Sequence, residues 1–146
     1  MIAIEIEDPS WTAALPSAAR LARSAARLAL GRAGGDLTIL LASDGALAAL
    51  NARFRGKAAP TNVLAFPSPE GTGGHRGDVA LAFGVCAQEA SEQGKALADH
   101  LRHLVIHGVL HLLGYDHLKD DEAEHMESTE RALLARLGIA DPYGRA

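Results

Sequence analysis

The chain has 146 residues, enough for one domain with a hydrophobic core, which we expect to span residues 1–146. Hydrophobic residues make up 48% and charged residues 22% of the sequence, a balance that argues against an intrinsically disordered protein. The formal net charge of −4 argues against a protein that binds nucleic acid through overall positive charge, because phosphate binding depends on lysine and arginine.

The first half of the chain predicts strands that alternate with helices. Ile2–Glu7 alternates apolar and polar residues, as a half-buried strand does. Apolar and basic residues then recur at helical spacing from Ser17 to Leu30, and a glycine-rich stretch ends that helix. Asp36–Ala42 is the second predicted strand, and a short helix over residues 45–54 follows it.

The second half predicts two more strands and then helices. The strands are Asn62–Pro67 and Asp78–Phe83, and residues 67–77 between them are rich in proline and glycine, as a loop is. The rest has helical patterns that end near residues 94, 113 and 137. Early strands with helices between and after them predict one sheet covered by helices, an α+β or α/β layered domain.

The N-terminus and the single cysteine favour a cytoplasmic location. The first eight residues carry acids where a secretory signal peptide needs basic residues and an apolar run. No stretch approaches the ~18 uninterrupted apolar residues of a membrane span. Cys86 has no partner for a disulfide within the chain, and its apolar neighbours predict a small buried side chain.

Charge is unevenly distributed along the chain. Residues 20–57 hold seven basic residues against two acids, whereas residues 116–130 hold seven acids against one lysine. Three of the basic residues lie at helical spacing on one face: Arg20, Arg23 and Arg27. This separation could steer a polyanion to one side of the molecule, but ordinary solvated helix faces would give the same counts.

The stretch HGVLHLLGYDH contains three histidines at offsets of zero, four and ten. Residues four apart lie on the same face of a helix, so His107 and His111 can point at one ion. Gly114 permits a sharp exit from the helix, which can bring His117 back as a third ligand. Three histidines on zinc leave a fourth position open for water or substrate, the arrangement of catalytic zinc sites. Buried histidines with satisfied hydrogen bonds are the alternative interpretation.

The same offsets occur in the metzincin proteases, whose motif is H-E-x-x-H-x-x-G-x-x-H. Gly108 stands where those proteases have the glutamate that acts as general base. The sequence therefore has the metal-binding pattern without the base that peptide hydrolysis needs. His100 and His103 precede the motif by one or two helical turns, and we expect them to support the ligands or to lie on the surface.

A second dense stretch, NARFRGKAAPTNVLAFP, runs from Asn51 to Pro67. Arg53, Arg55 and Lys57 alternate just before a proline and a predicted strand. Basic groups at this position could bind phosphate, and arginine can do so through two parallel hydrogen bonds. This signal is weak by itself, because many loops are basic.

Together the two stretches resemble the YbeY family, metal-dependent endoribonucleases linked to rRNA maturation and ribosome quality control. The similarity runs from Asn51 to Tyr143 and includes R-G-D-V at residues 76–79, D-D-E-A-E-H-M-E after the histidines and D-P-Y at residues 141–143. The N-terminal third fits only through the order of its strands and helices. Ala65 stands where serine is common in the family.

The resemblance implies one zinc ion on His107, His111 and His117, and a catalytic arginine, Arg55, that faces the metal across a cleft. It implies an α+β domain, with a small, mostly parallel mixed sheet covered by helices and the metal-binding helix along the cleft. The substrate would be single-stranded RNA at the 3′ end of a small-subunit rRNA precursor, and the partners would be the small ribosomal subunit or its proteins. Substrate phosphates could contact five basic residues: Arg20, Arg23, Arg27, Arg53 and Lys57.

Two other functions remain open. A non-catalytic ribosome-assembly factor could use zinc structurally, although three ligands and an open fourth position count against it. A metallohydrolase could act on another substrate, such as a peptide, but Gly108 counts against that. The general base is not apparent, since Asp116 adjoins a ligand and could equally orient a histidine. The sequence leaves the oligomeric state undetermined.

Overall fold

A computed structural model describes residues 1–56, 61–69 and 74–143, which contain four strands and six α-helices. The strands are β1 (Ile2–Ile6), β2 (Asp36–Ala42), β3 (Val63–Pro67) and β4 (His75–Ala82). The helices are α1 (Ser10–Ala14), α2 (Ala18–Leu30), α3 (Asp44–Arg55), α4 (Phe83–Glu92), α5 (Leu97–Leu112) and α6 (Asp120–Arg136). A 3₁₀ turn, Gly31–Ala33, follows α2.

The four strands form one mixed sheet in the order β1-β2-β4-β3. β1 pairs parallel to β2, and β2 pairs parallel to β4. β3 runs antiparallel to β4 and is the edge strand of that side. Because helices lie on both faces, this arrangement confirms the predicted α+β domain with a small, mostly parallel mixed sheet.

Alternation along the strands divides the core between the two faces of the sheet. Leu37, Ile39 and Leu41 of β2 are buried on the face that α2 and α5 cover. Small side chains on α2 let it pack closely there: Ala18, Ala22, Ala25, Ala26 and Ala29. The other face carries α3 and a smaller apolar cluster around Leu47 and Leu64. The histidine-bearing helix α5 therefore lies on the more extensively packed face.

Strand β4 begins at His75, three residues before the predicted start, so the end of the predicted loop at 67–77 is strand. The prediction began the strand too late because Gly77 is typical of a loop. Gly77 has φ +139°, and a Cβ at this position would lie 2.3 Å from the carbonyl oxygen of Phe66 on β3. The glycine thus allows close strand pairing at an irregular register rather than marking a loop. Residues 70–73 of the predicted loop lie outside the described part of the chain.

The sequence pattern does not predict helix α1, which spans only five residues. Pro9 and Ser10 are typical of a break, and the helix is too short to show an apolar period. It nevertheless buries Trp11 completely, and the indole Nε1 donates a hydrogen bond of 3.0 Å to the carbonyl of Ala42. This contact ties the segment after β1 to the end of β2.

Two simpler expectations concern burial and apolar length. Cys86 is fully buried, as predicted, and burial raises the pKa of its thiol. Within the described ranges, no helix has both the length and the apolar character that crossing a membrane requires.

Candidate metal centre

Helix α5 and the turn after it bring the three predicted histidine ligands together. The Nε2 atoms of His107 and His111 lie 3.1 Å apart, one helical turn from each other. His117 follows the helix, and one ring nitrogen from each of the three residues lies within 4.8 Å of the other two. These residues could hold one metal ion, as the spacing predicts.

The glycine after α5 ends the helix in a Schellman motif. Gly114 has φ +99°, a left-handed conformation that glycine adopts without strain. Its N–H donates to the carbonyl of His111, and the N–H of Tyr115 donates to that of Leu110, each over 3.0 Å. The chain therefore reverses within two residues, which places His117 beside the ligands on the helix.

A different glycine explains why this motif cannot carry the protease glutamate. Gly108 faces β4, and a Cβ there would lie 2.6 Å from Cγ1 of the fully buried Val79. Any side chain at this position would push α5 away from the sheet. Close helix–sheet packing therefore accounts for the glycine after the first histidine.

The lowered pKa of one helical ligand, His111, suits a divalent cation. Burial lowers the pKa of His111, and so do the neighbouring charges of His107 and His117. Neutral imidazole, with an unprotonated nitrogen, is the form that binds metals. Two unprotonated nitrogens at 3.1 Å repel each other unless a cation or a proton lies between them. The donor set thus fits a metal with a preference for nitrogen ligands.

Glu130 of α6 lies behind the ligands and is completely buried. One of its carboxylate oxygens is hydrogen-bonded to Nδ1 of His107. The other accepts from the hydroxyl of Tyr143 and from Nε2 of His103, the latter at 3.2 Å. Burial raises the pKa of the Glu130 carboxyl, but hydrogen bonds from its three partners outweigh burial and hold this pKa at about 2.

In the sequence, Glu130 appears only as one acid of the acidic segment at residues 116–130. Its position on α6 contained a usable signal, because the buried residues of this helix are Met126, Glu130 and Leu134. They lie four residues apart on one face, and an acid within such an apolar stripe requires buried partners. His103 is one of these partners, which agrees with the expectation that it supports the ligands.

The histidines open onto a cleft of about 540 Å³ between α5 and the edge strand β3. Asn62, Val63, Ala65 and Pro67 line the wall on the β3 side. Asp116 also lines the cleft, and one of its carboxylate oxygens accepts a hydrogen bond of 2.7 Å from the N–H of His117. Asp116 therefore orders the turn that presents the third ligand, whichever group serves as general base.

The arginines of α2 lie elsewhere on the molecule. α2 packs on β1 and α5, at the side of the sheet opposite to β3. Arg20 and Arg27 are exposed, and Nε of Arg23 donates to the carbonyl of Ile2 over 3.4 Å. The cleft wall formed by described residues includes none of these arginines. Their contact with substrate stays a prediction.

The basic residues before β3 are only partly described. Arg53 stacks on the ring of Phe54, 5.3 Å from its centroid, and both line a cavity on the α3 side of the sheet, away from the histidines. Arg55 is the last residue of α3, and its side chain lies outside the described part of the structure. Lys57 lies outside the described residues. The roles of these three residues stay predictions.

A family model described as endoribonuclease YbeY matches residues 4–138 of the chain. The chain belongs to this family. The endoribonuclease YbeY of Maricaulis maris is 53% identical over 142 residues, which cover 94% of this chain and 88% of the relative. The family member from Paramagnetospirillum magneticum is 52% identical over 157 residues, with 98% and 95% covered. The similarity therefore includes most of the N-terminal third, beyond the Asn51–Tyr143 range that the motifs suggest.

The fold is also similar to one known experimentally. The solution structure of TM1509 from Thermotoga maritima matches with a TM-score of 0.58 over 99% of this chain and 100% of the other. At 24% sequence identity, this likeness supports the fold alone. The resemblance inferred from the two motifs is thus confirmed for family and architecture.

Proposed function

We propose that the protein is a zinc-dependent endoribonuclease that cleaves single-stranded RNA at the 3′ end of a small-subunit rRNA precursor. Family membership supports endonucleolytic cleavage of RNA, because the relatives are endoribonucleases by name. The observation that carries the metal dependence is the convergence of His107, His111 and His117 within 4.8 Å at the base of an open cleft.

Zinc is the ion that this donor set favours. Three neutral imidazoles suit zinc better than magnesium or calcium, which prefer oxygen ligands. When bound, a zinc ion would supply Lewis-acid chemistry at a phosphoryl oxygen and lower the pKa of water. The three histidines supply nitrogen ligands and leave the cleft side accessible to substrate.

The lining of the cleft agrees with the proposed single-stranded substrate. Its β3 wall carries small or medium side chains, Val63, Ala65 and Pro67, which leave room for a backbone to pass along the edge of the sheet. Arg55 would neutralise charge that develops on the phosphate, the role that the family resemblance implies. The small ribosomal subunit or its proteins would present the substrate, and quality control of ribosomes in the cytoplasm would follow from the same activity.

Cleavage assays with matched histidine variants test this proposal. Wild type, His111→Ala and His75→Ala would be incubated with a small-subunit rRNA precursor that has an unprocessed 3′ end. His75 lies on β4 and does not line the cleft, so it controls for loss of a histidine. We expect wild type and His75→Ala to cleave the precursor and His111→Ala not to cleave it. A chelator should abolish the cleavage by wild type and His75→Ala, and added zinc should restore it.

Three other outcomes would contradict the proposed function. Equal cleavage by wild type and His111→Ala would place the activity outside this site. Zinc binding by wild type without cleavage of the precursor, alone or in small ribosomal subunits, would favour the non-catalytic assembly factor. Hydrolysis of a peptide library by wild type alone would favour a different metallohydrolase.

A further inference from the structure

We infer that Glu130 and Tyr143 are positioning residues of the metal centre, which hold His107 in the tautomer and orientation that bind the ion. This inference rests on the proposed metal site. It assigns a function to the last described residue of the chain, which lies 26 residues beyond the third histidine in the sequence.

The hydrogen bonds around Glu130 determine which nitrogen of His107 faces the cleft. A carboxylate accepts hydrogen bonds, so Nδ1 of His107 carries the proton in its contact with Glu130. Nε2 then has the free lone pair, and this atom lies 3.1 Å from Nε2 of His111. A carboxylate behind a ligating histidine commonly fixes the ring in this way and raises its basicity.

Packing alone does not account for a glutamate at this position. Its neighbours on the same face of α6 are Met126 and Leu134, both buried among apolar residues. An apolar residue of similar volume would pack there without the cost of burying a charge. The glutamate makes physical sense because one of its partners, His107, also faces the two other histidine ligands.

The segment after α6 completes this arrangement with Tyr143. Asp141 pairs with Arg131 of α6 at 3.0 Å, and it also accepts a hydrogen bond of 2.8 Å from the N–H of Tyr143. The guanidinium of Arg131 lies over the tyrosine ring, 5.8 Å from its centroid. These contacts hold the hydroxyl of Tyr143 against Glu130, so that the carboxylate oxygen away from His107 is also satisfied.

Zinc affinity and cobalt spectra of matched variants test this inference. Glu130→Gln keeps the volume but changes an acceptor into a mixed donor and acceptor, and Tyr143→Phe removes only the hydroxyl. Glu124→Gln is the control, because Glu124 is an exposed acid on the same helix. Affinity would be measured by competition with a chromophoric chelator, and ligand geometry by the absorption spectrum of the cobalt-substituted protein.

We expect Glu130→Gln to lower zinc affinity by ~10–100-fold and to change the cobalt spectrum. Tyr143→Phe should lower zinc affinity by about threefold to tenfold, the loss of one hydrogen bond. Glu124→Gln should match wild type in both measurements. Circular dichroism of the metal-free variants separates these effects from unfolding, and Tyr143→Phe still decides if Glu130→Gln fails to fold.

Two negative results have different meanings. Wild-type zinc affinity and cobalt spectra in both Glu130→Gln and Tyr143→Phe would overturn this inference and leave the proposed function intact. Failure of wild type itself to bind zinc or cobalt would overturn the proposed metal site and, with it, this inference.

Discussion

Three histidines of α5 pair with glutamates of neighbouring helices: His100 with Glu89, and His103 and His107 with Glu130. The His100 and His107 pairs, two turns apart, differ in the ring nitrogen that is hydrogen-bonded to the carboxylate. Nε2 of His100 is hydrogen-bonded to the carboxylate of Glu89 at 2.9 Å, and its Nδ1 is buried without a hydrogen-bond partner among the described residues. Nδ1 of His107 is hydrogen-bonded to the carboxylate of Glu130, and its Nε2 faces the other ligands. Nδ1 is the ring nitrogen nearer the backbone. Of these two pairs, only His107–Glu130 leaves the outer nitrogen, Nε2, available to an ion.

The two pairs therefore support the same cleft from different sides. Glu89 also accepts a hydrogen bond of 3.0 Å from the amide of Asn62, which lines the cleft just before β3. The His100 pair thus fixes the position of Asn62 in the cleft wall, whereas the His107 pair orients a metal ligand. The same two residue types serve packing or metal binding according to which nitrogen is left free.

Alanine substitution in each pair tests this difference most strongly. Because loss of an outer partner typically costs ~10–100-fold in metal affinity, loss of a direct ligand in His107→Ala should cost ~1000-fold or more. His100→Ala should leave zinc affinity within about twofold but lower the free energy of unfolding by about 1–3 kcal/mol, because Glu89 loses a buried donor. Chelator competition and urea unfolding of the metal-free proteins measure the two quantities.

An equal fall in zinc affinity for the two variants would contradict this difference between His100 and His107. It would mean that His100 acts on the ligands through the helix, and that the choice of ring nitrogen does not separate the two functions.

The pH dependence of stability in the metal-free protein should differ between the two ends of α5. Burial lowers the pKa of His100 below its ordinary 6.5, so the contribution of the neutral ring to stability is lost as pH falls below that value. The pKa of Glu130 is about 2 instead of 4.5, so its contribution is complete above about pH 4.5 and is lost only at lower pH. Stability should therefore decline in two steps.

Urea unfolding between about pH 7 and pH 3 measures these steps in variants of the two pairs. Glu130→Gln should reduce the loss of unfolding free energy in the lower step by a few kcal/mol and leave the upper step unchanged. His100→Ala should reduce the upper step, to which His111 also contributes through its own lowered pKa. A lower step that persists in Glu130→Gln would show that another carboxylate is responsible for it.

How far the site could be predicted depended on the distance along the chain over which each contact acts. The i, i+4 histidines and the Gly114 turn are local, and the sequence predicted them correctly. Glu130 lies 23 residues from its partner His107, and only its place in an apolar stripe of α6 distinguishes it from the acids around it.

The basic residues illustrate the other kind of limit. Helical spacing correctly placed Arg20, Arg23 and Arg27 near one another, since that depends only on α2. It could not show which edge of the sheet α2 covers, because this follows from the strand order β1-β2-β4-β3. Likewise, Gly77 resembled a loop residue until its pairing partner on β3 was known.

The smallest predicted effect concerns Gly108, which lies next to His107 and lets this end of α5 approach β4. In Gly108→Ala, the gain in helix propensity is worth ~1 kcal/mol. The new Cβ would overlap Val79, which is fully buried and cannot swing away, at a cost of about 2–3 kcal/mol. We expect net destabilisation of about 1–2 kcal/mol in urea unfolding, with weaker zinc binding because His107 and His111 move with the helix.

Gly45→Ala is the matched control, because Gly45 lies in the first turn of α3 and a Cβ there would meet no atom within 4 Å. It should be neutral or slightly stabilising and leave zinc affinity unchanged. If Gly108→Ala were as stable as wild type and bound zinc equally well, α5 could leave the sheet without penalty. The glycine after the first histidine would then need a functional reason, such as close approach of substrate backbone to the helix, since the packing argument would no longer explain it.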